Sequence, residues 1–224
     1  MTHDLLVFDL DGTLVDSQRD LTDAVNATRA WMGLEPLPAE NVARYVGNGA
    51  PMLVQRALPE AGEEDWSRGL KYFLDNYREH MLDSTRLYPG VREALDELHR
   101  SGIPLAVLTN KPIRFTLRML EGLSLDLHFF RVYGGNSFPE KKPDPTGLNA
   151  LIAESGADRE GTVMVGDSAV DVQTARNAGV RACGVRWGFQ PETFVASPPD
   201  FLIDDMRELT TMCQGRACPT PTDL

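Results

Sequence analysis

Apolar residues follow two different rhythms along this chain. From residue 16 to residue 83 they recur at helical spacing. Leu21, Val25, Thr28 and Met32 line one face of a segment that Asp16 or Ser17 can cap and Gly33 can end. Shorter helices are predicted over 39–46 and 50–58 and a longer one over 63–82, and nothing in this block reads as a strand. Elsewhere short unbroken apolar runs alternate with helical patterns. A strand is predicted over 4–9, ahead of the block. After Pro89 come a helix carrying Val91, Leu95 and Leu98 and ended by Gly102, a strand over 103–110, a helix over 113–122 and a strand over 130–135. A helix over 145–155, a strand over 162–167, a helix over 168–178, strands over 180–185 and 200–203, and a helix over 205–213 complete the series.

Strands alternating with helices imply an α/β fold, a doubly wound, Rossmann-like and mainly parallel sheet covered on both faces. The helical block is too long for a loop, so it reads as a small helical domain inserted after the first strand. The expected division is a core of 1–15 and 84–213, an insert of 16–83, and a frayed, polar, proline-containing tail over 214–224.

Composition narrows the function classes. With 224 residues, 42% hydrophobic and 25% charged, the chain has the make-up of a globular protein with a sizeable core. A net charge of −11 argues against nucleic acid or an anionic membrane as the main partner, and any anionic substrate must be drawn in by local cations. There is no apolar run of membrane-spanning length and no basic or cleavable N-terminal segment. Cys183, Cys213 and Cys218 are odd in number and scattered, which points to a reducing cytoplasm without a disulfide framework.

Active sites in open parallel sheets gather beyond the carboxyl ends of the strands. Three apolar strands here end in polar clusters, "FDLDGT", "LTNK" and "VGDSAVD", and a fourth cluster, "EKKPDP", lies between the second and third. Each has an ordinary structural explanation. Residues 9–13 make a polar turn, Thr109 and Asn110 can cap the next helix, Ser168 with Asp171 forms a capping box, and Asp144 before Pro145 is a helix start. Jointly those explanations leave unexplained why four acids, a threonine and a lysine fall where parallel strands would bring them together.

In these residues the chain resembles the haloacid dehalogenase superfamily of phosphatases. D-x-D-G-T stands at residues 9–13, the hydroxyl residue ending the next strand is Thr109, the lysine before a proline is Lys142, and G-D-S-x-x-D stands at 166–171, in the superfamily's order. The resemblance implies a Mg2+-dependent phosphatase acting on a small phosphorylated metabolite. Asp9 would be the nucleophile, forming an aspartyl phosphate, and also a metal ligand. Asp11 would be the general acid and base, carrying a proton when substrate binds, and its backbone carbonyl would ligate the metal. Thr109 and the backbone N–H of Asn110 would hold phosphoryl oxygens. Lys142 would neutralise charge between Asp9 and the transferring group, with Lys141 the adjacent competitor, read as a solvated surface charge. Asp167 would ligate Mg2+ directly, and Asp171 would act from behind it or through water, with helix capping as its other task. Ser168 is expected to cap a helix, and His3, His80, His99 and His128 to be ordinary surface or packing residues. Asp11 and Asp167 together favour phosphoryl transfer over dehalogenation, which needs neither an acid for the leaving group nor a metal.

A phosphomutase of the same superfamily shares these motifs, and a signalling receiver domain is an alternative of a different class; the insert directly after the first strand disfavours the receiver. Within the superfamily, "YVGNGAPMLVQRAL" at 45–58 and "YGGNSFPEKKPDP" at 133–145 are similar to the cap and lysine regions of bacterial phosphoglycolate phosphatases. This implies hydrolysis of 2-phosphoglycolate to glycolate and phosphate, with another small or sugar phosphate as the alternative substrate. Residues 47–49 read either as a cap loop over the site or, more plainly, as a flexible turn ahead of a helix. Arg44 and Arg56 are candidate partners for a substrate carboxylate, with solvated surface arginines as the plainer reading.

Overall fold

Leu5, Leu6, Val7 and Phe8 are all buried, the pattern of a strand covered on both faces. The computed structural model describes residues 5–214; His3, Asp4, Cys218 and the predicted tail beyond Gln214 lie outside them. Among the described residues six parallel strands make the main sheet, in the order β5-β4-β1-β6-β7-β8. They are β1 (Leu5–Phe8), β4 (Leu105–Leu108), β5 (Arg131–Tyr133), β6 (Thr162–Gly166), β7 (Arg181–Val185) and β8 (Phe201–Ile203). This is the doubly wound α/β sheet the sequence predicts. The side chains of β1 alternate between the two layers. Leu6 and Phe8 join an apolar cluster with Val91, Leu95, Phe115 and Met119, and Leu5 and Val7 join one with Leu148, Leu151, Val172 and Ala175. The first layer contains α5 (Val91–Arg100), α6 (Ile113–Gly122) and α9 (Glu208–Gln214), and the second α7 (Thr146–Ser155) and α8 (Ala169–Ala178). Each large apolar side chain so buried contributes ~1.5–3 kcal/mol before entropy is counted.

Between β1 and β4 the chain forms α1 (Gln18–Trp31), α2 (Ala39–Tyr45), α3 (Ala50–Ala57) and α4 (Glu63–His80). Here α1 packs along α4 and against α2, and α3 packs on α4. Gly33 follows α1 with φ +74, the left-handed conformation that ends a helix cheaply only in glycine. The periodicity did not reveal two short strands, β2 (Val15–Asp16) and β3 (Arg86–Leu87), which pair antiparallel where the chain enters and leaves the helical block. Two residues are too few to show a period of two, so only tertiary pairing defines them.

Ser17 precedes α1 as expected but makes no capping hydrogen bond with its side chain. Its hydroxyl donates instead to Asp11 Oδ1 at 2.5 Å. The turn before α7 also differs slightly from expectation. Asp144 accepts from Thr146 N and Oγ1, and the helix begins at Thr146.

Candidate active site

The register of the sheet brings the clusters together. Phe8 lies opposite Val107 of β4 and Val165 of β6, so Asp9, Thr109 and Asp167 leave adjacent strands at the same edge. All three are buried, with Asn110, Lys142 and Asp171. Carboxylate oxygens of Asp9, Asp167 and Asp171 come within 4.8 Å of one another. Lys142 enters this cluster from the loop before α7, through a cis peptide to Pro143. Its ammonium lies 2.6 Å from Asp171 Oδ1 and 2.9 Å from Asp9 Oδ1. Burial alone would lower the Lys142 pKa, but the charges of Asp171 and Asp9 outweigh it and hold it above the ordinary lysine value.

Three acids share that one cation, and the imbalance shows. Burial, then the charges of Asp171 and Asp9, raise the Asp167 pKa well above the usual carboxylate range, against the Phe189 N–H that donates to its Oδ2 at 2.7 Å. Burial raises Asp171 too, although Lys142 opposes this. Asp171 does the capping task foreseen for it. Its Oδ2 accepts from Ser168 N at 3.2 Å and Ser168 Oγ at 2.8 Å, leaving Oδ1 for Lys142. Backbone approaches Asp167 closely at two glycines. A Cβ on Gly12, where φ is +82, would fall 2.3 Å from Asp167 Oδ2, and one on Gly188 would fall 2.1 Å from Asp167 Cβ.

The donor set suits a hard divalent cation, which takes oxygen ligands and compensates clustered carboxylates. Asp9 Oδ1 is buried near the Lys142 ammonium yet receives no aligned hydrogen bond, so it retains a lone pair to give. Asp9 and Asp167 have the most open oxygens, because both oxygens of Asp171 are engaged.

Asp11 is arranged differently. Lys111 Nζ donates to both of its oxygens at 3.0 Å, and Ser17 Oγ bonds Oδ1. The same ammonium donates to Tyr77 OH of α4 at 2.7 Å, so one lysine joins the strand-end cluster to the helical block. Burial, and then the charges of Asp11 and Asp20, raise the Tyr77 pKa well above its ordinary value, so this hydroxyl stays protonated. Thr109 Oγ1 accepts from Lys111 N at 3.2 Å, and its own proton remains to give. The Asn110 side chain is a strut. Its amide donates to Lys142 O and Gly47 O, and its carbonyl accepts from Lys142 N.

Residues 47–49 therefore touch the site. Gly47 and Gly49 have φ of +102 and +86, and a Cβ on Gly49 would lie 3.0 Å from Asn110 O. Gln190, in the loop after β7, donates to Ala43 O and Val46 O and ties that loop to the end of α2. One cavity lies between the two regions, lined on one side by Asp9, Asp11 and Lys111 and on the other by Leu53, Phe73 and Tyr77.

The structure thus brings together Asp9, Asp11, Thr109, Asn110, Lys142, Asp167 and Asp171. Lys141 is exposed, as expected of the solvated neighbour. Arg44 is exposed, Arg56 donates to Tyr45 O, and neither lines the cavity. His80 pairs with Asp83 and His128 with Asp96, away from the site. Sequence reasoning missed Lys111, Tyr77 and Ser17. Lys111 carried a weak signal, a cation directly after a polar strand end in an acidic chain. Tyr77 is indistinguishable by periodicity from a core residue of its helix, and Ser17 from a cap.

A family model described as haloacid dehalogenase-like hydrolase matches residues 6–185. A protein of Chromobacterium violaceum named phosphoglycolate phosphatase is 41% identical over 209 residues, covering 91% of this chain and 93% of its own. One of the same name from Vibrio vulnificus is 41% identical over 213 residues, covering 92% and 93%. Among solved structures, one described as a predicted phosphoglycolate phosphatase from Haemophilus somnus superposes with a TM-score of 0.91 at 32% identity, covering 96% of this chain and 99% of the other.

Proposed function

The chain belongs to the haloacid dehalogenase-like hydrolase family, and from that premise we propose that it is a phosphoric monoester hydrolase, a phosphoglycolate phosphatase yielding glycolate and phosphate. Membership sets aside the receiver-domain alternative. The observation that carries the reading is the Asp9, Asp167 and Asp171 cluster with the Lys142 ammonium between Asp9 and Asp171. The names of relatives about 40% identical over most of their length support the substrate.

In this reading residues 16–83 form a cap domain on a core of 1–15 and 84–213. Asp9, Asp167 and the Asp11 backbone carbonyl would hold Mg2+, with Asp171 behind them. Bound there, the ion supplies positive charge between an anionic nucleophile and an anionic ester. An Asp9 carboxylate oxygen attacks phosphorus, the P–O bond to the glycolate oxygen breaks, and the Asp11 carboxyl gives that oxygen its proton. Water then attacks the aspartyl phosphate, gives a proton to Asp11, and releases phosphate and free Asp9. Thr109 Oγ and Asn110 N–H hold phosphoryl oxygens, and Lys142 offsets the charge on Asp9 as it attacks. Among the described residues no helix is long and apolar enough to cross a membrane. A small phosphorylated metabolite is the partner we assign, and the cytoplasm the compartment.

The test is phosphate release from a panel of small esters with Mg2+. 2-Phosphoglycolate should show the highest kcat/KM against glycerol phosphates, phosphoserine and hexose phosphates. A sugar 6-phosphate ahead by tenfold or more would overturn the substrate and leave the phosphatase standing. Silence over the whole panel would overturn both.

A further inference from the structure

The substrate assigned above carries a second anion, a carboxylate, which must enter an acidic protein and leave water. A buried anion needs a cationic or hydrogen-bonding partner. Most donors around the cavity are already committed. Both amide hydrogens of Asn110 are bonded, to Gly47 O and Lys142 O, and the Gln190 amide bonds Ala43 O and Val46 O. Ser168 Oγ donates to Asp171. Lys142 is held by two carboxylates. Leu21, Leu53, Phe73 and Phe115 give an apolar wall. Among the described residues lining the cavity, Lys111 is the one cation.

We propose that Lys111, with the Tyr77 hydroxyl beside it, binds the carboxylate of the substrate and so selects a phosphorylated acid over a phosphate monoester whose alcohol part carries no charge. The inference rests on the phosphatase reading above. Lys111 is well placed for this. Its side chain is 5% exposed, and its backbone follows directly on Thr109 and Asn110, so it reaches the same cavity from the strand end that would hold the phosphoryl group. Two of its three N–H groups point at one carboxylate, Asp11, a redundancy that leaves one free to turn to a second. Tyr77 OH accepts the third and keeps its own proton to donate. The ring is stacked on Phe73 at 5.7 Å and edge-on to Phe115 at 5.5 Å, so the hydroxyl is held in place by packing. An ammonium and a phenol on an apolar wall form a site for one planar anion, and charge-assisted hydrogen bonds there are the strong kind. A neutral alkyl group in the same position would leave Lys111 with Asp11 and gain nothing from it.

The experiment compares 2-phosphoglycolate with ethyl phosphate, which has the same two-carbon length and no carboxylate, in wild type and Lys111→Met. Because Lys111 also bonds Asp11, the variant is expected to slow both esters, and the ratio of their kcat/KM values is the readout. Wild type should prefer phosphoglycolate, and Lys111→Met should lower that preference ~30-fold, with Lys111→Arg keeping most of it. Tyr77→Phe, which retains the packed ring, should lower it ~3- to 10-fold, and decides the matter if Lys111→Met gives no cooperative melt. A preference unchanged in both variants overturns the inference and leaves the phosphatase standing, as does a wild type with no preference. A wild type that hydrolyses neither ester removes the function and the inference together.

Discussion

The two regions that meet at the cavity are built from different materials. On the sheet side the acids and Thr109 are short and rigidly mounted. Asp9, Thr109 and Asp167 each follow a buried strand of four or five residues, and backbone N–H groups of Lys142, Ser168 and Phe189 donate to Asn110, Asp171 and Asp167 and so tie the cluster down. On the helical side the wall is Leu21, Leu53 and Phe73, with backbone carbonyls of Ala43, Val46 and Gly47 as its fastening points and the Tyr77 hydroxyl as a polar tip. Charge chemistry requires groups fixed before the reaction begins, and adjacent strand ends provide that. Shape and apolar contact tolerate a surface joined through few bonds. The contrast implies that damage to the sheet side stops the reaction, whereas damage to the helical side changes what is bound and how tightly.

The largest expected effect is on the sheet side. Asp9→Asn should fold and show no measurable phosphatase activity, because an amide neither attacks phosphorus nor carries the charge a metal ligand needs. Turnover at a substantial fraction of wild type, measured by phosphate release, would remove Asp9 as nucleophile. EDTA should abolish activity reversibly, with Mg2+ restoring it and Ca2+ doing so poorly, since the looser calcium shell would misplace the attacking oxygen. Activity that survives exhaustive chelation would break the assignment of the acid cluster.

Asp11→Ala separates two steps. Single-turnover formation of the aspartyl phosphate should slow much more for 2-phosphoglycolate than for p-nitrophenyl phosphate, because nitrophenolate leaves without a proton, by a margin of ~100-fold or more. Equal slowing for both esters would take the acid role from Asp11.

On the helical side a smaller and different response is expected. Gly49→Ala introduces a side chain at φ +86 and within 3.0 Å of Asn110 O, so it should push the 47–49 loop off the strand-end loop. An increase in KM of ~10-fold with a lesser change in kcat is expected. Gly33→Ala is the control, because its φ is +74 but no atom lies near the new methyl group. It should lower stability by ~1 kcal/mol and leave both kinetic constants alone. The same rise in KM from both substitutions would mean that the loop contact is immaterial.

The smallest effect concerns stability and returns to the sheet side. Burial and the charges of Asp171 and Asp9 raise the Asp167 pKa, so the folded state binds this proton more tightly than the unfolded chain does. Its contribution to stability is therefore lost as pH rises above the ordinary carboxylate range. In EDTA, Asp167→Asn should melt a few degrees above wild type at pH 8, by roughly the 2–4 °C that 1 kcal/mol commands in a chain of this size. The difference should shrink as pH is lowered. A lower melting temperature for the variant at pH 8 would show that Asp167 is net stabilising without metal.

How much of this was written in the sequence differs between the two regions for the same reason. Strand ends are local features. An unbroken apolar run followed by Asp9-Leu10-Asp11-Gly12-Thr13, or by Gly166-Asp167, announces both the strand and the acid that leaves it, and right-handed parallel packing leaves few ways to arrange them. Asp171 could be read in advance as capping α8 because a capping box is encoded three residues apart. The helical block yielded its helices and its loop glycines to the same reasoning, since those too depend on neighbours in sequence.

The partners of Lys111 belong to the tertiary structure. Its ammonium meets Asp11 and Tyr77, which lie far from it in sequence on β1's exit and on α4, and no periodicity links them. Ser17 is a hydroxyl ahead of a helix, for which capping is the ordinary use; only the fold of the chain around residues 11–17 turned it to Asp11. Likewise β2 and β3 exist because the two ends of the helical block are brought side by side, and neither segment has a strand signal of its own. The sequence alone determined the sheet, the helices and which polar groups stand at the strand ends, because period, cap and motif are short-range. Which side chains close the cavity from the helical side depended on long-range packing, where one buried lysine took its partners from two distant segments.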